Sequence, residues 1–217
     1  MTSLRRRPAR TVALLATLAL LLTGPDAGAK IFRTAVKKLC TDTALRIPDG
    51  PEAGDFVSAI VSTGNTKTDC PSGLLCGYGG IPYGARVLDV DAKVRVAHRS
   101  VSDLDLLLVS PTGTLTTLTA RGVVSGADFG RGPTDCRADF TVFDDAARLS
   151  LEGGEALAPF EARFRPLQAL SAHDRTFGAG DWRFYFDDVA AGRSGVVQAI
   201  GLRLKYRYAV IRRGKHR

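Results

Sequence analysis

The chain has 217 residues, 45% of them apolar and 24% charged, the composition of a globular domain of ordinary size; disorder throughout and collagen-like repetition are excluded. Thirty Lys and Arg against 22 Asp and Glu give a formal charge of +8 and a pI near 9.6. That balance raises the question of a polyanionic partner.

Residues 1–29 read as a secretory signal peptide. Arg5, Arg6, Arg7 and Arg10 precede an apolar run over 11–22, and Ala27-Gly28-Ala29 offers a small-x-small cleavage site before Lys30. The run falls short of the roughly 20 apolar residues a membrane span needs. No later stretch is apolar and long enough to span, and no cysteine follows the run directly as a lipoprotein anchor requires. The expectation is a soluble protein, secreted to the extracellular side, with no membrane span and acting as a monomer. Beyond the leader, 26 basic and 21 acidic residues remain, unevenly placed. Residues 47–202 hold 14 basic and 20 acidic residues, whereas 30–46 hold five against one and 203–217 seven against none. A nucleic-acid module carries its basic stripe on the folded body with aromatics interleaved, so no nucleic acid is expected as partner.

Cys40, Cys70, Cys76 and Cys136 are even in number, and in an exported chain they are expected to form two disulfides. Three pairings are open. A Cys70–Cys76 bridge would close the short PSGLL loop easily and leave Cys40 to tie the N-terminal segment to the Cys136 loop. Zinc is disfavoured, because no C-x2-C pair occurs and neither His98 nor His173 is near the cysteines in sequence.

From residue 88 to 98 the chain alternates, with Leu88, Val90, Ala92, Val94, Val96 and His98 on one face and Asp89, Asp91, Lys93 and Arg95 on the other, as a half-buried antiparallel strand does. Residues 104–109 are more continuously apolar and end in Ser110-Pro111-Thr112-Gly113, a turn signal; 115–119 is the return strand. Trp182, Phe184 and Phe186 alternate with Arg183, Tyr185 and Asp187. The last strand sets Val196, Gln198, Ile200, Leu202, Leu204, Tyr206 and Tyr208 against Arg203, Lys205 and Arg207, the solvated face of an edge or outer strand. Glycine-rich loops separate these runs and no helical period is sustained. The fold class is all-β, a jelly-roll-like sandwich or barrel of about eight strands.

The string HRSVSDLDLLLVSPTGTLTTL, residues 98–118, resembles the signature of the P domain (Homo B domain) that follows the catalytic domain in subtilisin-like proprotein convertases. Further pieces agree in order: Arg46-Ile47-Pro48-Asp49, the acidic TVFDDAA, FRPLQALSAHD, FGAGDWRFYFD and the closing 195–204. The likeness covers about residues 45–208, leaving 30–44 as an N-terminal segment and 209–217 as a basic tail. Ser102 stands where the family usually has glycine, and Ile200 where it has tryptophan. The Cys70–Cys76 loop and the Cys136 loop look like decoration on the family frame. The resemblance implies an eight-stranded jelly-roll-like module, an accessory that folds or stabilises a serine-type endopeptidase. Proteolysis would belong to a catalytic partner supplied in trans.

An independent catalytic site has thin support. G-x-S-x-G is missing, and Gly192-Arg193-Ser194-Gly195 falls one residue short of it. His98 is in phase with an apolar face and reads as a hydrogen-bonded core or rim histidine, His173 as a turn residue, and His216 lies in the tail. Adjacent carboxylates on a strand, such as Asp187 and Asp188, point to opposite faces. Acidic residues at strand ends suggest calcium, which takes six to eight oxygen ligands. Asp103 and Asp105, two apart and so on one face of an extended strand, could join Asp144, Asp145, Asp187 and Asp188. The other reading is that these aspartates hold turns. The expected function is a secreted non-catalytic module for an exported protein, conceivably a protease. The alternative is retention on an anionic or glycan cell-surface polymer.

Overall fold

The structure is a computed structural model that describes residues 30–50, 56–64, 80–132, 136–137, 139–153 and 156–211. The expected leader 1–29, the loop with Cys70 and Cys76, and residues 212–217 with His216 lie outside the described residues. Ten strands occur among those described: β1 (Lys30–Ile47), β2 (Phe56–Ser62), β3 (Arg86–His98), β4 (Leu104–Val109), β5 (Leu115–Thr119), β6 (Thr141–Phe143), β7 (Leu149–Ser150), β8 (Arg163–Arg165), β9 (Asp181–Asp188) and β10 (Gly195–Ile211). No helix among the described residues is long and apolar enough to cross a membrane.

One sheet has the order β1-β10-β3-β6-β8-β7 and the other β2-β9-β4-β5. Strands consecutive in sequence, β1 and β2, β3 and β4, β5 and β6, β9 and β10, fall in opposite sheets. That is the wrapped order of a jelly roll, with the short parallel strands β7 and β8 added at one side. The architecture is an open sandwich rather than a closed barrel. Alternation builds its core. On β9, Trp182, Phe184 and Phe186 are fully buried while Arg183, Tyr185 and Asp187 stand half-buried on the outer face. Each such buried side chain contributes roughly 1.5–3 kcal/mol. The Trp182 indole N–H donates to the Gly178 carbonyl at 3.1 Å, so the apolar burial strands no polar atom there. On β4, Leu104, Leu106 and Leu108 point in, and Asp105, Leu107 and Val109 are half-buried. The following turn closes with the Gly113 N–H on the Ser110 carbonyl at 2.9 Å, and Gly113 takes a φ of +83°.

Several expectations from the sequence need correction. The β3–β10 ladder shifts register between Lys205 and Tyr206, so Val87, not Leu88, faces the core at that end and Leu88 is only half-buried. A second shift between Val197 and Ala199 makes Val197 and Ala199 the buried pair, while Val196 and Gln198 are half-buried. A bulge inserts one residue and inverts the phase beyond it. The last strand is not an edge either. β10 lies between β3 and β1, and the outer strand is β1, whose residues Lys30 to Ile47 pair with Ile211 to Gly195.

Two departures from the resembled family are absorbed simply. Ile200 is fully buried in the core, and Ser102 is the middle residue of the 3-10 turn Val101–Asp103. Cys40 is bonded to Cys136, joining β1 to the loop before β6 across 96 residues of chain.

Candidate functional site

The densest polar constellation lies where β3, β9 and β10 meet. His98 ends β3 with its side chain wholly buried beside the equally buried Asp188 at the end of β9. His98 Nε2 lies 2.9 Å from Asp188 Oδ2 and 3.1 Å from the Arg193 carbonyl; Nδ1 lies 2.8 Å from the Ser100 carbonyl and 3.2 Å from the Ser100 amide. Both ring nitrogens are therefore engaged by neighbours of their own fold. The His98 amide donates to Asp128 Oδ1 at 2.8 Å, and the Asp128 amide donates back to the His98 carbonyl at 2.9 Å. Gly195, directly opposite His98 in the ladder, has no room for a side chain, because a Cβ there would overlap the imidazole. Sequence reading placed His98 inside correctly, but missed Asp188 as its partner. The signal was available: Asp188 is in phase with Trp182, Phe184 and Phe186, and a buried carboxylate on such a face needs a cation or donor.

The loop after β9 is fastened by the same group. Asp188 Oδ1 accepts the Ala190 amide at 3.2 Å, Asp49 Oδ1 accepts the amides of Gly192 at 2.6 Å and Arg193 at 3.2 Å, and the Val189 amide donates to the Asp103 carbonyl at 2.9 Å. Beside it a cleft of about 380 Å³ is lined by residues including Arg46, Arg99, Asp128 and Ser194. Ser194 is the serine of the near-miss motif. His98, opposite Gly195 in the ladder, engages both ring nitrogens with Asp188, Arg193 and Ser100 rather than with Ser194.

The six aspartates considered for calcium form two groups: Asp103, Asp105, Asp187 and Asp188 at adjoining ends of β4 and β9, and Asp144 and Asp145 after β6. Asp103 sits in the 3-10 turn rather than on β4, so it does not share a strand face with Asp105; its carboxylate lies 3.4 Å from Arg193 Nη1. Asp105 accepts the Arg121 amide at 2.7 Å and faces Asp187 directly across the ladder. Asp188 serves His98. Asp144 and Asp145 follow β6 on the other sheet. Asp144 binds Arg163, whose Nη2 also reaches Asp91 at 2.6 Å, and Asp145 accepts the amides of Leu170 and Ser171, each at 2.8 Å, capping the 3-10 turn Leu170–His173. The one set of three metal-type donors that converges among the described residues is Cys40, Asp42 and Cys136, and two of those are joined as a disulfide.

Asp91, His173 and Tyr206 are buried titratable groups whose surroundings shift them, burial raising the Tyr206 phenol. Burial raises the Asp91 carboxyl above its ordinary value, opposed by the Arg163 guanidinium. His173 is a turn residue, as expected, closing the 3-10 turn Leu170–His173; its ring is fully buried, edge-on to Trp182 at 5.1 Å, with Nε2 2.9 Å from Thr116 Oγ1. Burial lowers it to about 4.

No known family profile matches the chain, and no curated protein matches it. Among solved structures it is similar to the serine protease of Aeromonas sobria in complex with a chaperone, at 14% identity and a TM-score of 0.41, over 82% of this chain and 27% of that one. It is likewise similar to the serine protease of Aeromonas sobria crystallised separately, at 13% identity and a TM-score of 0.39, over 84% of this chain and 28% of that one. The chain thus spans little more than a quarter of the length of those proteins.

Proposed function

We propose that the chain is a non-catalytic accessory module that binds and stabilises another exported protein, a serine protease without its own copy of such a domain being the partner it fits best. The observation that carries this reading is the use made of the 98–118 string. His98 is locked by Asp188, Ser100 and Arg193, Asp105 holds the turn after β5, and Ser110 to Gly113 close a hairpin. Residues that resemble a P domain most closely are spent on closing the sandwich, which suits a module that acts through its surface.

A surface for this exists on the outer face of the four-stranded sheet. Phe56, Tyr185, Leu107, Val109 and Leu115 share that face in register; Phe56 packs edge-on against Tyr185 at 5.1 Å and, like Leu115, remains about half exposed. Apolar residues grouped on an exposed sheet face are a feature of protein interfaces.

The test begins with immobilised protein lacking residues 1–29, used to retain proteins from the source's own secreted fraction. The retained protein is then purified and its thermal half-life measured with and without this chain. A discrete exported partner that lasts longer in the complex, with the gain lost in Phe56→Ser/Leu115→Ser, is the expected result. A retained protein that gains no stability would refute the reading. So would labelling of the native chain by a serine-reactive phosphonate, which would make it a hydrolase.

A further inference from the structure

The paired half of β1 and β10 is basic in a way the accessory reading does not use. Residues 30–38 and 203–211 run side by side and carry Lys30, Arg33, Lys37, Lys38, Arg203, Lys205 and Arg207 with no acidic residue. Register divides them between two faces. Leu202, Leu204 and Tyr206 turn toward the core, so Arg203, Lys205 and Arg207 stand on the outer face. Lys38 is paired with Arg203 from one side; on the other, Arg86 is paired with Arg207 and Lys93 with Gly201, placing both on that same face.

Two carboxylates share this face, Asp91 opposite Arg203 and Asp89 opposite Lys205; among the described residues only Arg203 of the six cations forms an ion pair, with Asp89 at 3.0 Å and Asp91 at 3.5 Å, and Asp91 is also bound by Arg163, so the cations outnumber the carboxylates. Lys93 is half-buried, and burial above all, with the nearby Lys38, lowers its ammonium below the ordinary value, opposed by Asp91. Alternate residues of a strand are about 6.8 Å apart, so Arg203, Lys205 and Arg207 form a straight row of about 14 Å. Hydrogen-bonded neighbours on both sides of β10 fix that spacing.

We propose that this face is a binding strip for an anionic polysaccharide, a chain of uronate or sulfate groups laid along β10 and held by Lys38, Lys93, Arg203, Lys205, Arg207 and Arg86. Charge at a repeated spacing recognises such a polymer without any pocket. Single-stranded nucleic acid is held by successive aromatic platforms along its path, and the row from Arg203 to Arg207 offers none; among the described residues Phe32 and Phe177 stand only at its Arg207 end, with Arg207 5.1 Å over Phe32 and Arg86 3.6 Å over Phe177. The proposal stands on the β1–β10 face and is independent of the accessory reading, which uses the opposite sheet.

The experiment is retention of the chain, without residues 1–29, on immobilised alginate, with neutral dextran as blank and single-stranded DNA and anionic lipid vesicles as competitors. Lys205→Gln/Arg207→Gln is compared with Arg121→Gln/Arg148→Gln, which removes the same charge from exposed positions elsewhere. The strip predicts binding to alginate and not dextran, lost in high salt, and weakened about tenfold by the first pair but not the second. A melt of each variant confirms folding, and Lys38→Gln, on the neighbouring strand, replaces the first pair if that pair is unfolded. Equal loss in both pairs, loss only when residues 212–217 are removed, or tighter binding to DNA or vesicles than to alginate would each overturn the proposal.

Discussion

His173 makes acid stability a sharp test of the packing. Its ring closes the 3-10 turn Leu170–His173, stands against Trp182, and offers Nε2 to Thr116, while Nδ1 has no hydrogen-bond partner. An added proton would be placed in an apolar enclosure, and burial accordingly lowers the group from 6.5 to about 4, with Asp145 opposing. Because the folded value lies below the unfolded one, the unfolded chain takes up the proton first as pH falls. The stability this neutral ring contributes is complete above about pH 6.5 and is lost progressively down to pH 4: about 2 kcal/mol by pH 5 and about 3 kcal/mol by pH 4. His173→Gln keeps a polar group for Thr116 but does not titrate. Urea unfolding followed by the fluorescence of Trp182, the sole tryptophan, at pH 8, 6, 5 and 4 should show the variant less stable at pH 8 and the gap closing or reversing by pH 5. Parallel pH profiles for the two proteins would refute the argument.

The Asp188 carboxylate answers both His98 and the Ala190 amide, so Asp188→Ala should cost about 3 kcal/mol in urea unfolding and free the 189–194 loop to proteolysis. Gly195→Ala drives a Cβ into the His98 ring and should lower stability by roughly 1–3 kcal/mol, read as a drop in melting temperature with no change in the disulfide. Arg163→Ala leaves Asp91, already raised by burial, without its closest cation. The loss should be about 3 kcal/mol near pH 8. It should shrink toward pH 4, because a carboxyl raised in the folded state stabilises the fold as it protonates; a loss that does not vary with pH would contradict this.

Period-two alternation carried the fold in the sequence wherever a strand keeps one phase. Trp182, Phe184 and Phe186, and likewise Leu202, Leu204 and Tyr206, face inward as their spacing requires. It misled at Leu88 and Val196, because a bulge is one extra residue opposite the partner strand and no local composition marks it. The burial of His173 was hidden by its polar company, Ser171 and Asp174. The usable signal was Leu170 three residues earlier, since positions i and i+3 of a 3-10 turn lie on one side, and both are buried. The Cys40–Cys136 pairing remained one of three in the sequence, because only the docking of β1 against β10 shows which end of the sandwich Cys40 reaches. The sequence groups Asp105 with Asp187 only on condition that their strand ends meet, a matter of topology that the β4–β9 ladder supplies; Asp144 and Asp145 fall on the other sheet.

The 98–118 string explains why resemblance can point firmly to a fold and yet leave activity open. It begins at the end of β3 in the six-stranded sheet, turns through Val101–Asp103, and continues as β4 and β5 in the other sheet. It is a corner between the two layers, and nearly every residue in it has a closing role: His98 on Asp188, Ser102 Oγ on Ser100 Oγ and Asp103, Leu104, Leu106 and Leu108 in the core, Ser110 and Gly113 at the hairpin. A corner built this way constrains its sequence through packing and hydrogen bonding alone, whatever the finished sandwich binds. Activity must therefore be sought on what the finished sheets present outward: the Phe56 and Tyr185 face of one, to which the corner lends Leu107, Val109 and Leu115, and the Arg203 to Arg207 face of the other. These surfaces differ in kind, one apolar and one cationic, so high salt should separate them: binding through the first should persist where binding through the second is lost.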